Sequence, residues 1–218
     1  SQVTTSLQFT PPYSKFRDAA LNTKDYYTRE TDQLRLVEYY KYKFTTTWYM
    51  PLDKAKKLVL MTKLGFAYLG AYNKNLGFSP FERFYLGGSG LTGFALDGRE
   101  IIALRGYVDQ SVGNTFGTGS VVINKYSLEL RYPLSLNPSA TIYVLGFADA
   151  GNAWVNYKKY SPFDVVRGAG AGVRVFLPMF GLLGLDYGWG FDKVDNRANN
   201  GGGKGQFHFT IGANIGDL

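Results

Sequence analysis

Long stretches of strict period-two alternation constrain this chain more than any other feature of its 218-residue sequence. Between Tyr39 and Met50, for example, one side carries mainly aromatic residues and the other carries lysines and threonines. Successive side chains of a β-strand point to opposite faces, so this pattern predicts a strand with one apolar and one polar face. The same reasoning predicts eight strands, most of them longer than the roughly five or six residues usual in soluble proteins, at 2–11, 36–50, 56–70, 120–134, 139–152, 164–178, 181–192 and 205–216.

The connections between these predicted strands alternate in length. Short turns fall at 51–55, 135–138 and 179–180, whereas long loops fall at 12–35, 71–119, 153–163 and 193–204. Short turns at one end and long loops at the other are typical of outer-membrane barrels. We therefore predict an all-β fold, an antiparallel transmembrane β-barrel domain of which about eight strands lie within residues 1–218.

Two observations favour a membrane barrel over a soluble β-sandwich or a lipocalin-like barrel, which remain the alternatives. Glycines crowd the polar faces, where they suit a filled interior better than a solvent-exposed strand. Tyrosines and tryptophans lie toward the ends of the apolar faces, as in an interfacial girdle. The glycines are Gly168, Gly170, Gly172, Gly184 and Gly188, and the aromatic residues are Tyr40, Trp48, Tyr132, Tyr143, Trp154 and Trp189. The expected location is the outer membrane, with lipid as a partner.

Composition and motifs argue against catalysis, metals and nucleic acid. The chain has no cysteine, and its 24 Lys and Arg residues are spread along its length instead of forming a basic cluster. Residues 88–93 match G-x-G-x-x-G literally, but no helical pattern follows, so we interpret them as part of a glycine-rich loop. The single histidine, His208, has no placed partner and is expected to fill the lumen. We predict no catalytic residue, no metal and no cofactor.

Residues 79–107 resemble the long sixth external loop of the BamA-type outer-membrane insertase family. That loop has a Gly-Gly-Ser lead-in and an Arg-Gly-Phe tip. The lead-in corresponds here to Gly87, Gly88 and Ser89, and the tip to Leu104, Arg105, Gly106 and Tyr107. In this register residues 95–103 are an insertion. A second register, with the tip at Leu91–Phe94 and threonine in place of arginine, stays open.

Two later segments extend the resemblance. Residues 127–130 and 147–152 resemble the next two family strands, whose acidic residues pair with the loop arginine inside the barrel. The resemblance thus implies that Glu129 and Asp149 are lumen partners of Arg105. Alternation independently places Glu129 on the polar side. It does not settle which face Asp149 lies on, because Asp149 is on the same side of its strand as the apolar Leu145 and Phe147.

The end of the chain resembles the last strand of family barrels, which forms a lateral seam with the first strand. The seam residues would be Phe207, Phe209, Ile211 and Gly212. The chain departs from the family by continuing through 213–218 without a final aromatic residue. An open strand edge offers unpaired backbone groups to an incoming strand.

Taken together, the matches correspond to the C-terminal half of a sixteen-stranded family barrel. The resemblance implies that the other barrel half and the periplasmic POTRA domains belong to the same protein, although a natural half-length barrel is an alternative. It implies a non-enzymatic assembly factor that folds and inserts other outer-membrane proteins, with unfolded clients and accessory lipoproteins as partners. A translocator of the same superfamily (TamA-like or two-partner secretion) and a small stand-alone structural or enzymatic barrel are the rival functions.

Overall fold

Ten β-strands and one short 3-10 turn form the regular structure of the residues described by the computed structural model. These residues are 1–12, 38–72, 78, 81–89, 99–113, 118–137, 139–179, 181–194 and 205–212. The 3-10 turn is Tyr157–Lys159. The strands are β1 (Gln2–Phe9), β2 (Tyr40–Pro51), β3 (Val59–Gly70), β4 (Phe84–Leu86), β5 (Glu100–Ile102), β6 (Val122–Asn137), β7 (Ala140–Trp154), β8 (Val166–Leu177), β9 (Gly181–Gly190) and β10 (Gly205–Ile211).

Eight of these strands form a single antiparallel sheet in the order β1-β2-β3-β6-β7-β8-β9-β10. They correspond one to one with the predicted strands, so the all-β antiparallel prediction is confirmed. Among the described residues, β1 and β10 are the two edges of this sheet. The C-terminal strand is described only as far as Ile211, and the predicted residues 213–216 lie outside the described part. No helix in the described ranges combines the length and apolar character needed to cross a bilayer.

The two faces of the sheet differ as the alternation predicts. One face exposes large apolar side chains on nearly every strand, which suits contact with lipid and not with water. These include Trp48, Leu128, Leu130, Tyr132, Leu185, Tyr187, Trp189, Phe207 and Phe209. The other face is polar and lines a cavity of about 680 Å³, whose walls include Lys43, Lys63, Lys125, Glu129, Arg131, Arg174 and Asp186.

One residue of the predicted aromatic girdle is turned inward instead, and a second is covered by a neighbouring ring. Tyr143 lines the polar cavity, where the guanidinium of Arg131 lies 5.7 Å from its ring. Trp154 lies on the outward side of β7 together with Val144, but it is only 7% exposed and packs edge-on against Tyr160 of the connection that follows. Side-chain polarity could not reveal the inward orientation of Tyr143, because the inward face of β7 carries apolar residues as well as Asp149.

The described parts of the long connection between β3 and β6, residues 81–89 and 99–113, pack back onto the inner face of the sheet. Its strands β4 and β5 pair in parallel, and the backbone amide of Phe84 donates to the carbonyl of Ser120 at 2.9 Å. Around them lies a dry apolar core where the sequence suggested only a polar interior. It consists of Ala67, Leu69, Phe84, Leu86, Ile102, Leu104, Tyr107, Val112, Val121, Val122, Ile123, Ala153 and Trp154.

Candidate functional site

The lead-in and the tip of this loop are hydrogen-bonded to each other. The amide of Gly88 donates to the carbonyl of Leu104 at 3.2 Å, and the amide of Leu104 donates back to Gly88 at 3.1 Å. The amide of Ser89 donates to Asp109 Oδ1 at 2.8 Å. The two motifs singled out in the sequence therefore form one unit in which the lead-in fixes the backbone just before Arg105. The alternative tip, Leu91–Phe94, lies outside the described residues.

Arg105 lies in a buried cluster of carboxylates. Its Nε and Nη2 donate to Asp149 Oδ2 and Oδ1 at 2.7 and 2.8 Å, and its Nη1 lies 2.8 Å from Glu129 Oε1. Its guanidinium carbon is 3.7 Å from the centre of the Phe147 ring. Burial works against the charged form, but the attraction of Asp149 and Glu129 raises the pKa of Arg105 above its ordinary value. The loop thus carries a permanent cation, and the structure brings all three of these candidate residues together.

Three further charged residues extend this cluster and were missed from the sequence. Arg131 donates to Glu129 Oε2 at 2.6 Å. Arg174 donates to both oxygens of Asp186, at 2.5 and 2.6 Å, and Asp186 Oδ2 lies 3.6 Å from Arg105 Nη1. The cluster therefore balances three guanidinium groups against three carboxylates, as burial demands. Its only signal in the sequence was that these residues share the inward parity of their strands.

The backbone of the tip lies almost directly on the sheet. Gly106 has φ +92°, a left-handed conformation that favours glycine. A Cβ at Gly188 would lie 2.6 Å from the nitrogen of Gly106, and one at Gly190 would lie 2.6 Å from its oxygen. A Cβ at Gly168 would lie 2.7 Å from the oxygen of Arg105. The inward glycines of β8 and β9 thus form a flat seat for the tip, which we call the glycine seat (Gly168, Gly188 and Gly190).

Tyr107 anchors the other side of the tip. Its hydroxyl donates to the carbonyl of Arg167 at 2.6 Å and accepts from the amide of Asp192 at 3.2 Å. Its side chain is almost completely buried, and this burial raises the pKa of Tyr107. The tip is therefore fixed to the loop-side ends of both β8 and β9.

The last strand contributes one inward residue to the site. His208 is buried and accepts a hydrogen bond at Nε2 from the amide of Gly106, at 2.8 Å. It lies on the inner face as the alternation suggested, but its partner could not be foreseen. Phe207, Phe209 and Ile211 are exposed on the outer face. Gly212 follows β10, and its amide donates to the carbonyl of Leu182 at 2.7 Å.

A second ion cluster, also missed from the sequence, holds the beginning of the loop to β2. Lys41 is only 3% exposed, and its Nζ lies 3.2 Å from Glu82 Oε2 and 2.7 Å from Glu100 Oε2. Lys43 also pairs with Glu100. The Lys41 ammonium lies 4.7 Å from the centre of the Phe84 ring. Two separate charge clusters therefore connect the loop to the inner wall.

These arrangements are suited to holding a segment in place. Within the described ranges, no group of three or more His, Asp or Glu side chains is positioned to hold a metal ion. The carboxylates nearest Arg105 are occupied by guanidinium groups.

Comparison with known proteins places the chain in a family. The Omp85 superfamily domain matches residues 4–215. The outer membrane protein assembly factor BamA of Neisseria meningitidis serogroup B is 31% identical over 143 residues, which cover 63% of this chain and 17% of that protein. In fold, the chain resembles the crystal structure of BamA from Haemophilus ducreyi lacking POTRA domains 1–3. The TM-score is 0.55 at 21% identity, over 81% of this chain and 35% of that one. The chain thus spans only a minor part of these relatives, and it belongs to the Omp85 superfamily of outer-membrane β-barrel proteins.

Proposed function

We propose that residues 1–218 are the C-terminal half of the barrel domain of an outer-membrane assembly factor. In this proposal the protein folds and inserts other β-barrel proteins into the outer membrane, and it makes and breaks no covalent bond. Membership of the Omp85 superfamily supports the broader class of outer-membrane assembly and translocation proteins. The likeness to two BamA proteins favours assembly within that class.

The observation that carries the proposal is the buried pairing of Arg105 with Asp149 and Glu129. Arg105 belongs to the loop, whereas its partners belong to neighbouring strands β6 and β7. A charge buried this deeply is stable only while its partners stay in place. The pairing therefore fixes the loop, with residues 71–119 as the segment that enters the lumen, and keeps this part of the barrel wall rigid.

An edge strand beside that rigid wall supplies the proposed working surface. The strand β10 pairs with β9, and its other edge has no strand partner among the described residues. Such an edge presents backbone donors and acceptors that can add an incoming strand. The exposed Phe207 and Phe209 would keep the client at the level of the lipid. Unfolded outer-membrane proteins, accessory lipoproteins, outer-membrane lipid, the other barrel half and POTRA domains are the partners in this proposal.

The test is reconstitution of the full-length protein in liposomes with an unfolded barrel protein as client. Folding of the client is followed by its altered gel mobility before and after heating. We expect the protein to accelerate folding, Arg105→Ala to remove most of the acceleration, and Lys158→Ala, in the exposed 3-10 turn, to retain it. Passage of a polypeptide across the membrane without accelerated insertion would instead identify a translocator. If the protein shows neither activity, it would be identified as a structural barrel.

A further inference from the structure

The tip of the loop and the last strand meet in one buried hydrogen bond. The amide of Gly106 donates to Nε2 of His208 at 2.8 Å, and His208 is only 3% exposed. Gly106 belongs to the tip that Arg105 and Tyr107 fix from either side. His208 belongs to the edge strand β10. The bond therefore joins the most firmly held part of the loop to an edge of the sheet.

The glycine seat makes this contact possible. His208 is in register with Asp186 of β9, so its imidazole must reach over β9 to meet the tip. A side chain at position 188 would occupy that space, because its Cβ would lie 2.6 Å from the nitrogen of Gly106. With glycine there, the tip comes close enough to the sheet for a side chain of the neighbouring strand to bind it.

The chemistry of the bond gives His208 a specific role as a hydrogen-bond acceptor. The Gly106 amide is a donor, so Nε2 must carry a lone pair, and the ring is then neutral with its proton on Nδ1. A buried backbone amide without an acceptor is costly. His208 thus supplies an acceptor to a backbone turn, and the loss of this acceptor penalises the docked tip and the position of β10 together.

We propose that His208 is a positioning residue that tethers β10 to the loop tip, so that the docked loop determines how firmly this edge strand is held. The tether itself stands independently of the function proposed above. Its consequence for clients rests on that function, because only a seam that accepts client strands would be affected by the firmness of β10.

Hydrogen–deuterium exchange of the full-length protein in lipid nanodiscs tests the tether. We compare the tip segment 104–107 with β10 in the wild type, His208→Leu, His208→Gln and Thr210→Val. Loss of the acceptor in His208→Leu should raise exchange in both segments by about tenfold, as expected for one buried hydrogen bond. Glutamine places an acceptor near the position of Nε2 and should restore most of the protection. Thr210 lies on the same face of β10 and lines the cavity, so Thr210→Val should leave both segments unchanged.

The results that would overturn the tether are equally specific. Faster exchange in only one segment, equal effects of leucine and glutamine, or the same effect from Thr210→Val would each contradict it. Should His208→Leu fail to fold, His208→Asn takes its place, because its acceptor is too short to reach Gly106. The client-folding assay is then run on the same variants. Normal client folding by a variant with a released tip and β10 would support the tether and count against the seam function.

Discussion

Arg105 and Asp149 form a two-bond pair in which each oxygen of the carboxylate accepts from a different nitrogen of the guanidinium, at 2.7 and 2.8 Å. The arginine comes from a loop and the aspartate from the middle of β7. Both side chains are buried, so neither can exchange its partner for water. The planar guanidinium fork makes two hydrogen bonds to Asp149 and still directs its third nitrogen to Glu129.

Arg105→Ala should therefore release the loop while leaving the strands in place. Removing one partner of a buried pair costs about 3–5 kcal/mol, because the other charges remain without compensation. We expect faster cleavage of residues 99–113 in limited proteolysis, with unchanged strand content by circular dichroism. Lys158→Ala is the matched control, since it removes an exposed cation of the 3-10 turn, outside the loop. Equal protease sensitivity of Arg105→Ala and the wild type would contradict the role of Arg105.

The two carboxylates that bind Arg105 should not be equivalent. Asp149→Asn removes the negative charge and replaces one of the two acceptor oxygens of the bidentate pair with an NH2 donor, whereas Glu129 shares its charge between Arg105 and Arg131. We expect Asp149→Asn to lower the free energy of unfolding by about 3 kcal/mol or more, and Glu129→Gln by less. Urea titration of the folded barrel in detergent measures both. A larger loss in Glu129→Gln would show that Arg131, and not Arg105, sets the stability of the cluster.

The strands and the inward position of Glu129 could be predicted from the sequence, because alternation is a local property of each strand. Asp149 is different, since Leu145 and Phe147 share its inward face and hide the contrast between the faces. On β7 the inward residues meet a packed loop and not water, so apolar side chains are favoured on both faces. Tyr143 shares this inward side of β7, and the same apolar neighbours explain why it was wrongly expected to face outward.

Other parts of the site depend on contacts between residues distant in the sequence. The pairing of Lys41 with Glu82 and Glu100, and that of Gly106 with His208, are fixed only when the loop packs onto the sheet. Glycines were recognised on the inward faces, but their role as a seat for the tip depends on the path of a loop that alternation does not describe. The local sequence pattern therefore predicts the strands, whereas it does not predict how the loop docks on the sheet.

Lys41→Met tests the second cluster separately from the first. The substitution keeps an unbranched side chain but leaves Glu82 and Glu100 without this cation. Both carboxylates are partly exposed and Glu100 keeps Lys43, so we expect a loss of roughly 2 kcal/mol in loop docking. Hydrogen exchange should rise in β4 and β5 while the tip, held by Arg105, stays protected. Lys54→Met, in the exposed turn after β2, is the control. Equal exposure of β4, β5 and the tip would mean that the two clusters release together.

The exposed pair of Arg167 and Asp192 should make the loop-side end of β9 sensitive to acid. The hydrogen bond from Arg167 holds the pKa of Asp192 below its ordinary value. A lowered folded-state pKa gives stability that is present above the unfolded value, near 4, and is lost as the pH falls through the folded value. The difference in unfolding temperature between the wild type and Asp192→Asn should thus be constant above about pH 5 and shrink below it. A difference that is independent of pH would contradict this assignment.

Gly188→Ala should lift the tip from its seat without adding or removing any charge. The new methyl group would lie 2.6 Å from the nitrogen of Gly106, and that nearest atom is backbone, so the tip itself must move. Gly146→Ala is the control, because the nearest atom to its Cβ, the oxygen of Gly170, is 4.0 Å away. We expect Gly188→Ala to increase hydrogen exchange at residues 104–107 and in β10, and Gly146→Ala to change neither. Protection retained in Gly188→Ala would show that the tip does not depend on close contact with β9.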